Sequence, residues 1–346
     1  MNILFKPTLA STPYALITDA FDAIEDGDTL LVAGPNTINP DPDPAEAPLA
    51  LYDKHDVEIT GAGNATISGE GGGNFLSMEL CTGIRVEGIT FSGDRTEEGG
   101  GSDMFAQVLL RGTSNSALSF LNCTFKGWGG HAISHLWGAK TSSDVLVQGC
   151  RFSDAGSYNV PGLFVDGSAC SGIGSRWRLV NNTVTNCVRG FEVESGTAGL
   201  IDDVLISGNS FKDVTDCAAF VCVTTGISTD FRNIRILGNR INTCYHTDSR
   251  VKQTAIAVGG GYNIIVADNQ ISDCKYGTSI SSIQGDLANV LVHGNFIQNC
   301  IYGLVVQTRE GGTNVDSMVS NNIVKNCTLG IIAVNSILSD NITYDA

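Results

Sequence analysis

Three carboxylates, Asp166, Glu192 and Glu194, follow the glycines of two successive phrases, Gly162-Leu-Phe-Val-Asp166 and Gly190-Phe-Glu-Val-Glu194. Two carboxyl groups held a few ångströms apart can split a glycosidic bond. One protonates the leaving oxygen while the other attacks the sugar or activates water. Repulsion between such groups raises the pKa of one member, which suits it to act as the acid. Asp166 and Glu194 are assigned as the acid/base pair, with Glu192 tuning or substituting. Phe164 and Phe220, beside them in the pattern, offer apolar faces to sugar rings. The plainer account is that these are three of 36 acidic residues facing water.

A second group is Gly129-Gly-His-Ala-Ile-Ser-His-Leu-Trp137. His131 falls at an inward position and reads as a buried, satisfied histidine. His135 and Trp137 lie where they could border the same groove as the carboxylates, and Arg111 stands in the column of Asp166 and Glu194. A β-elimination would need other parts: a base at a uronate α-carbon, a cation for the carboxylate and often calcium. Arg111, Arg189, His135 and Tyr158 could serve it, with calcium as the cofactor of that alternative. Hydrolysis by two carboxylates needs no cofactor.

The elements that must position these residues are repeats. Asn182-Thr-Val-Thr-Asn-Cys-Val-Arg-Gly190 returns as Asn239-Arg-Ile-Asn-Thr-Cys244, Asn269-Gln-Ile-Ser-Asp-Cys-Lys-Tyr-Gly277, Asn295-Phe-Ile-Gln-Asn-Cys-Ile-Tyr-Gly303 and Asn322-Ile-Val-Lys-Asn-Cys-Thr-Leu-Gly330. A looser copy, Asn209 to Cys217, carries three extra residues. Successive leading asparagines are 26 to 30 residues apart, a period that marks a solenoid. After each of Gly130, Gly162, Gly190, Gly277, Gly303 and Gly330, the first and third residues are apolar in most copies, so they point inward and the second and fourth point outward. Three short strands fit such a coil, and parallel strands stack at about 4.8 Å. The expected fold is therefore all-β, a parallel β-helix of about ten coils, right-handed by the strong preference of crossovers.

Asn182, Asn209, Asn239, Asn269, Asn295 and Asn322 are expected to form a ladder, each in left-handed or bridging backbone geometry and hydrogen-bonded to the next. Cys187, Cys217, Cys244, Cys274, Cys300 and Cys327 are expected to form a second column of small buried side chains. Thiols spaced by whole coils do not gather four ligands around one ion, so no metal is assigned. An odd total of eleven cysteines, most at one repeat position, argues for reduced thiols.

At the N-terminus, Leu16, Ile17, Ala20, Phe21 and Ile24 recur at helical spacing. They predict a short amphipathic helix ending at Gly27 that caps the solenoid. The domain reading is a segment 1–27 with this helix, then a β-helix over 28–346, with its first strand at 28–34 and a loop over 35–48. Lys6 and Pro7 stand where a secretory signal needs its apolar centre, and no run of about 18 apolar residues predicts a membrane span. A net charge of −16 repels phosphate backbones, so nucleic acid is not an expected partner. The last residues show no cap, so a tail fold, a partner subunit or a further segment is expected to cover the final coil.

The opening residues, an Asp-Ala-Phe-Asp-Ala-Ile helix followed by Glu25-Asp-Gly-Asp-Thr-Leu-Leu-Val32 and Val57-Glu-Ile-Thr-Gly-Ala-Gly-Asn-Ala-Thr-Ile67, resemble the first coil of pectin-lyase-like parallel β-helix proteins. The Asn-x-Ile-x-x-Cys phrases are similar to their later repeats. The resemblance covers nearly the whole chain and implies the fold. It also implies a polysaccharide partner, by hydrolysis, by elimination or epimerisation, or by binding alone as in adhesins and structural tail proteins. Tailspike-like members imply homotrimers and an extracellular or virion-associated setting. The clustered aspartates of pectate lyases and the Asp-Pro-His segment of alginate epimerases are missing from this sequence.

Overall fold

The computed structural model describes residues 1–7, 11–39, 47–70, 73–94, 106–111, 115–128, 130–135, 142–154, 158–160, 163–165, 167–195, 199–223, 229–244, 253–282, 286–308 and 312–344. Two compact units divide the chain, Met1–Ser171 and Gly172–Ala346. Both are parallel β-solenoids with three strand columns.

In the first unit one column runs Thr29–Ile38, Glu58–Glu70, Arg85–Glu87, Ser116–Leu121 and Ser143–Gln148. A second continues from the later half of Glu58–Glu70 through Thr90–Asp94, Thr124–Lys126 and Arg151–Ser153. The third stacks Leu49–Tyr52, Leu76–Glu79, Ala106–Arg111, His131–His135 and Ser168–Ser171. Their inner residues are apolar and in register, so like stacks on like. The Phe91, Phe125 and Phe152 rings, for example, lie 5.1 and 5.0 Å apart and nearly parallel.

The capping helix forms over Ile17–Asp22 and buries Ile17, Ala20 and Phe21. It is shorter than the expected element, and strands missed in the sequence flank it. Asn2–Phe5 pairs antiparallel with both Thr12–Tyr14 and Thr29–Ile38, so part of the segment 1–27 belongs to the sheet. Thr29–Ile38 also runs into the expected loop, because Pro35 to Ile38 pair with Thr66 to Gly69 across a register shift.

In the second unit the first face stacks Arg178–Val180, Gly199–Ser207, Thr229–Leu237, Ile265–Ala267, Leu291–His293, Ser317–Ser320 and Ser336–Ser339. The second runs from the early part of Thr183–Ser195 through Ser210–Val223, Arg240–Cys244, Gln270–Cys274, Phe296–Gln298, Ile323–Lys325 and Ile342–Tyr344. The third begins with the later parts of Thr183–Ser195 and Ser210–Val223 and continues through Thr254–Val258, Tyr276–Ser281, Tyr302–Gln307 and Leu329–Ala333.

The asparagine ladder lies at the turn from first to second face and extends to Asn341. Each backbone N–H and each Nδ2 donates to Oδ1 of the next asparagine, as Asn239 does to Asn269 at 2.9 and 3.0 Å. The same Nδ2 also donates to a backbone carbonyl, as from Asn269 to Ile236 at 2.9 Å. The left-handed residue is not the ladder asparagine, as the sequence suggested, but the one before it: Asn181, Gly208, Gly238, Asp268, Gly294, Asn321 and Asp340 all have φ between 52° and 65°. That position must accept positive φ, so it holds only Gly, Asn or Asp. At Gly294 (φ 65°) an added Cβ would also overlap Oδ1 of Asp268 in the coil before. Gly294→Ala is expected to cost about 1–2 kcal/mol from the backbone alone, and Gly294→Asn less. Urea unfolding with an unchanged m-value is the check.

The cysteine column also differs in one place. Cys187 pairs with Val214, while Cys217 pairs with Arg189 and Thr254 on the third face. The three extra residues of the looser copy shift that cysteine past the turn. Ten cysteines are buried. Thiol contacts from Cys274 and burial push the Cys300 thiol up to about 12, the hydrogen bond with Cys274 being the larger cause. Cys300 therefore holds little of the reactive thiolate at neutral pH.

Candidate functional site

Arg189 lies just past a register shift in Thr183–Ser195, where the chain turns onto the third face of the second unit. Its guanidinium sits between two carboxylates. One N–H donates to Glu192 Oε1 and Nε–H donates to Asp216 Oδ2 at 2.6 Å. Its Cζ lies 5.2 Å from the centre of the Phe220 ring, within cation–π range. Phe220 is in register with Glu192 on the next strand. Phe191 and Val193, on either side of Glu192, are fully buried in the core, so period two directs Glu192 to the outer side of the face.

Yet Glu192 is only 2% exposed, Asp216 4% and Phe220 5%. The expected parity is right, and the expected exposure to water is not. Buried ionised groups are tolerated when they are paired and hydrogen-bonded, and Arg189 supplies that pairing to both acids. The cluster therefore holds two carboxylates and an aromatic ring in fixed positions at the start of the third face.

Asp216 was missed. Its signal was the looser copy itself, whose additional residues bring an acid to the turn immediately before Cys217. Glu194 pairs in register with Cys222 two positions along the same strand, and its side chain lies outside the described residues.

The remaining sequence candidates belong to the first unit. Leu163–Val165 does not stack in a solenoid column; it forms an antiparallel hairpin with Tyr158–Val160. The partner of His131–His135 is instead Ser168–Ser171, with Ser134 opposite Ser171. The outward column expected through Phe164 and Asp166 therefore passes through 168–171, because Leu163–Val165 pairs only with Tyr158–Val160 among the described strands. Asp166 and Trp137 lie outside the described residues. His135 is not past the strand end; it is the last residue of its strand and is buried. Arg111 belongs to the first unit, with Nε 3.8 Å from Glu79. Ser134 is opposite Leu109 and not Arg111.

No family model matches the chain, and no curated protein matches it. Solved structures do. A mannuronic-acid-specific polysaccharide family 6 lyase from human gut microbiota aligns over 95% of this chain and 85% of its own, with a TM-score of 0.55 and 10% identity. A tailspike protein of E. coli bacteriophage HK620, solved with a hexasaccharide, aligns over 86% of this chain at a TM-score of 0.51 and 14% identity, and this chain spans 52% of it. PfbA, a surface adhesin of Streptococcus pneumoniae, aligns over 95% of this chain and 87% of its own at 0.50 and 15%. At these identities the likeness is one of backbone path. Together with the stacked parallel columns, it establishes that the chain has a right-handed parallel β-helix fold.

Proposed function

We propose that the chain acts on a polysaccharide laid across the third face of the second unit, and that it is a glycoside hydrolase working with Glu194 and Glu192. The observation that carries this reading is the buried Arg189, Glu192, Asp216 and Phe220 cluster at outer positions of that face. Arg189 and Asp216 fix Glu192, and Phe220 supplies an apolar flank. Structural relatives that are a polysaccharide lyase and a saccharide-bound tailspike support a polymeric sugar as the substrate.

Binding without cleavage is a second reading. The burial of Glu192 and its commitment to Arg189 favour it, and an adhesin among the structural relatives is consistent with it. Elimination is less favoured because the guanidinium that could hold a uronate carboxylate is already engaged by Glu192 and Asp216.

The test is incubation with a panel of bacterial and algal polysaccharides, following reducing ends together with the ultraviolet absorbance of unsaturated uronates. Reducing ends without new absorbance are expected, and Glu194→Gln is expected to lower their rate by roughly 100-fold or more. New absorbance would replace hydrolysis by elimination. Retention on a glycan without products would leave binding alone.

A further inference from the structure

The first face of the second unit carries a trough of about 450 Å³, lined by Asp203, Asn233, Arg235, Asn263, Ile265, Asn289 and Leu291. It lies on a different face from the Arg189 cluster. Its two walls are chemically distinct and both repeat once per coil. One wall is a column of exposed residues in left-handed conformation, Asn233, Asn263 and Asn289, with φ of 55°, 54° and 53°. Their amides are linked: Asn289 Nδ2 donates to Asn263 Oδ1 at 3.1 Å, Asn263 Nδ2 to Asn233 Oδ1 at 3.2 Å, and Asn233 Nδ2 to Asp202 Oδ1 at 2.7 Å. Each such link uses one of the two amide hydrogens of its donor, and each acceptor amide oxygen keeps a second lone pair.

The other wall lies two residues along each strand. Arg235, Ile265 and Leu291 are in register there, followed by Met318 and Ile337. Arg235, Ile265 and Leu291 are half-buried, while Met318 and Ile337 are exposed. At the N-terminal end Asp203 bonds Arg178 and Arg235, and Arg178 is the first cause holding its carboxyl below the ordinary range. The trough thus offers an amide edge and an aliphatic floor side by side, repeated at the spacing of parallel strands, about 4.8 Å.

We propose that this trough is a second, non-catalytic binding track for a linear polysaccharide lying along the solenoid axis. A pyranose is itself two-sided, with C–H faces and hydroxyl edges, and its length along a chain is close to one coil spacing. Ile265 and Leu291 meet the faces, and the amides of Asn233, Asn263 and Asn289 meet the hydroxyls. An extended peptide fits worse, because the first-face strands from 199–207 to 317–320 are already hydrogen-bonded on both sides, leaving its backbone no edge to pair with. The proposal rests on the reading of the chain as polysaccharide-acting.

The experiment compares wild type with Asn263→Gly/Ile265→Ser and with Leu291→Ser. Glycine keeps the left-handed position relaxed, and thermal melts identify any variant that fails to fold. Each protein is run by affinity electrophoresis through gels containing the polysaccharides that wild type cleaves or retains, and is assayed for turnover of, or binding to, their short oligosaccharides. Retardation by polymer about tenfold weaker in both variants, with oligosaccharide behaviour unchanged, is the expected result. Equal retardation in wild type and variants would overturn the track and leave the third-face reading intact. A wild type that neither cleaves nor is retarded by any glycan would overturn both.

Discussion

Asn269→Ala is expected to remove about 3–6 kcal/mol of unfolding free energy, from the loss of one side chain that touches no substrate. Oδ1 of Asn269 accepts from the backbone N–H and from Nδ2 of Asn239, and its own Nδ2 donates to Ile236 O and Asn295 Oδ1. All four bonds are buried. Alanine leaves the Asn239 N–H, one Asn239 amide hydrogen and the Ile236 carbonyl without these partners. Each buried polar group stranded in this way costs about 1–3 kcal/mol, and some of that is recovered by relaxation. Denaturant unfolding gives the magnitude, and hydrogen exchange should show the amides near Asn239 and Asn269 losing protection first. A loss below about 1 kcal/mol would mean that a water takes over the amide's bonds.

Arg189→Met should cost a similar amount, about 3–5 kcal/mol, for a different reason. The apolar volume is nearly kept, but Glu192 and Asp216 lose the guanidinium between them, and Phe220 loses its cation. The diagnostic comparison is Arg189→Met/Glu192→Gln/Asp216→Asn. If charge compensation is the main contribution, this triple variant should recover much of the stability that Arg189→Met loses, because neutral amides are far cheaper to bury than carboxylates. Activity should not recover in it, since the carboxylates are gone. A triple variant no more stable than Arg189→Met would instead point to packing as the contribution of the arginine stem.

What could be read in the sequence was what repeats. The asparagines recur because every coil presents the same orphaned groups at the same turn, so a six-residue phrase was enough to locate the ladder from Asn182 to Asn322. The left-handed residue before each asparagine escaped because Gly, Asn and Asp share that position and no single letter marks it. Departures from the repeat were the source of error. Gly162 looks like the turn glycine of a coil, but Leu163–Val165 pairs back on Tyr158–Val160, a local antiparallel choice that period-two alternation cannot distinguish from a rung. The extra residues before Cys217 shift the cysteine to the third face and bring Asp216 to Arg189. Burial of Glu192 was illegible for a related reason, since alternation tells inside from outside of a sheet but not whether the outer side is open to water.

The buried ladder and the exposed column of Asn233, Asn263 and Asn289 also have a direction. In the buried ladder every Nδ2 points to the following coil, from Asn182 to Asn209 and onward to Asn341. In the exposed column Nδ2 points to the preceding coil, from Asn289 to Asn263 to Asn233. Amide dipoles aligned head to tail add, as they do along a helix axis, and leave partial charges at the ends of the row. Because these rows are antiparallel, the shorter one on the surface partly offsets the field of the longer one inside.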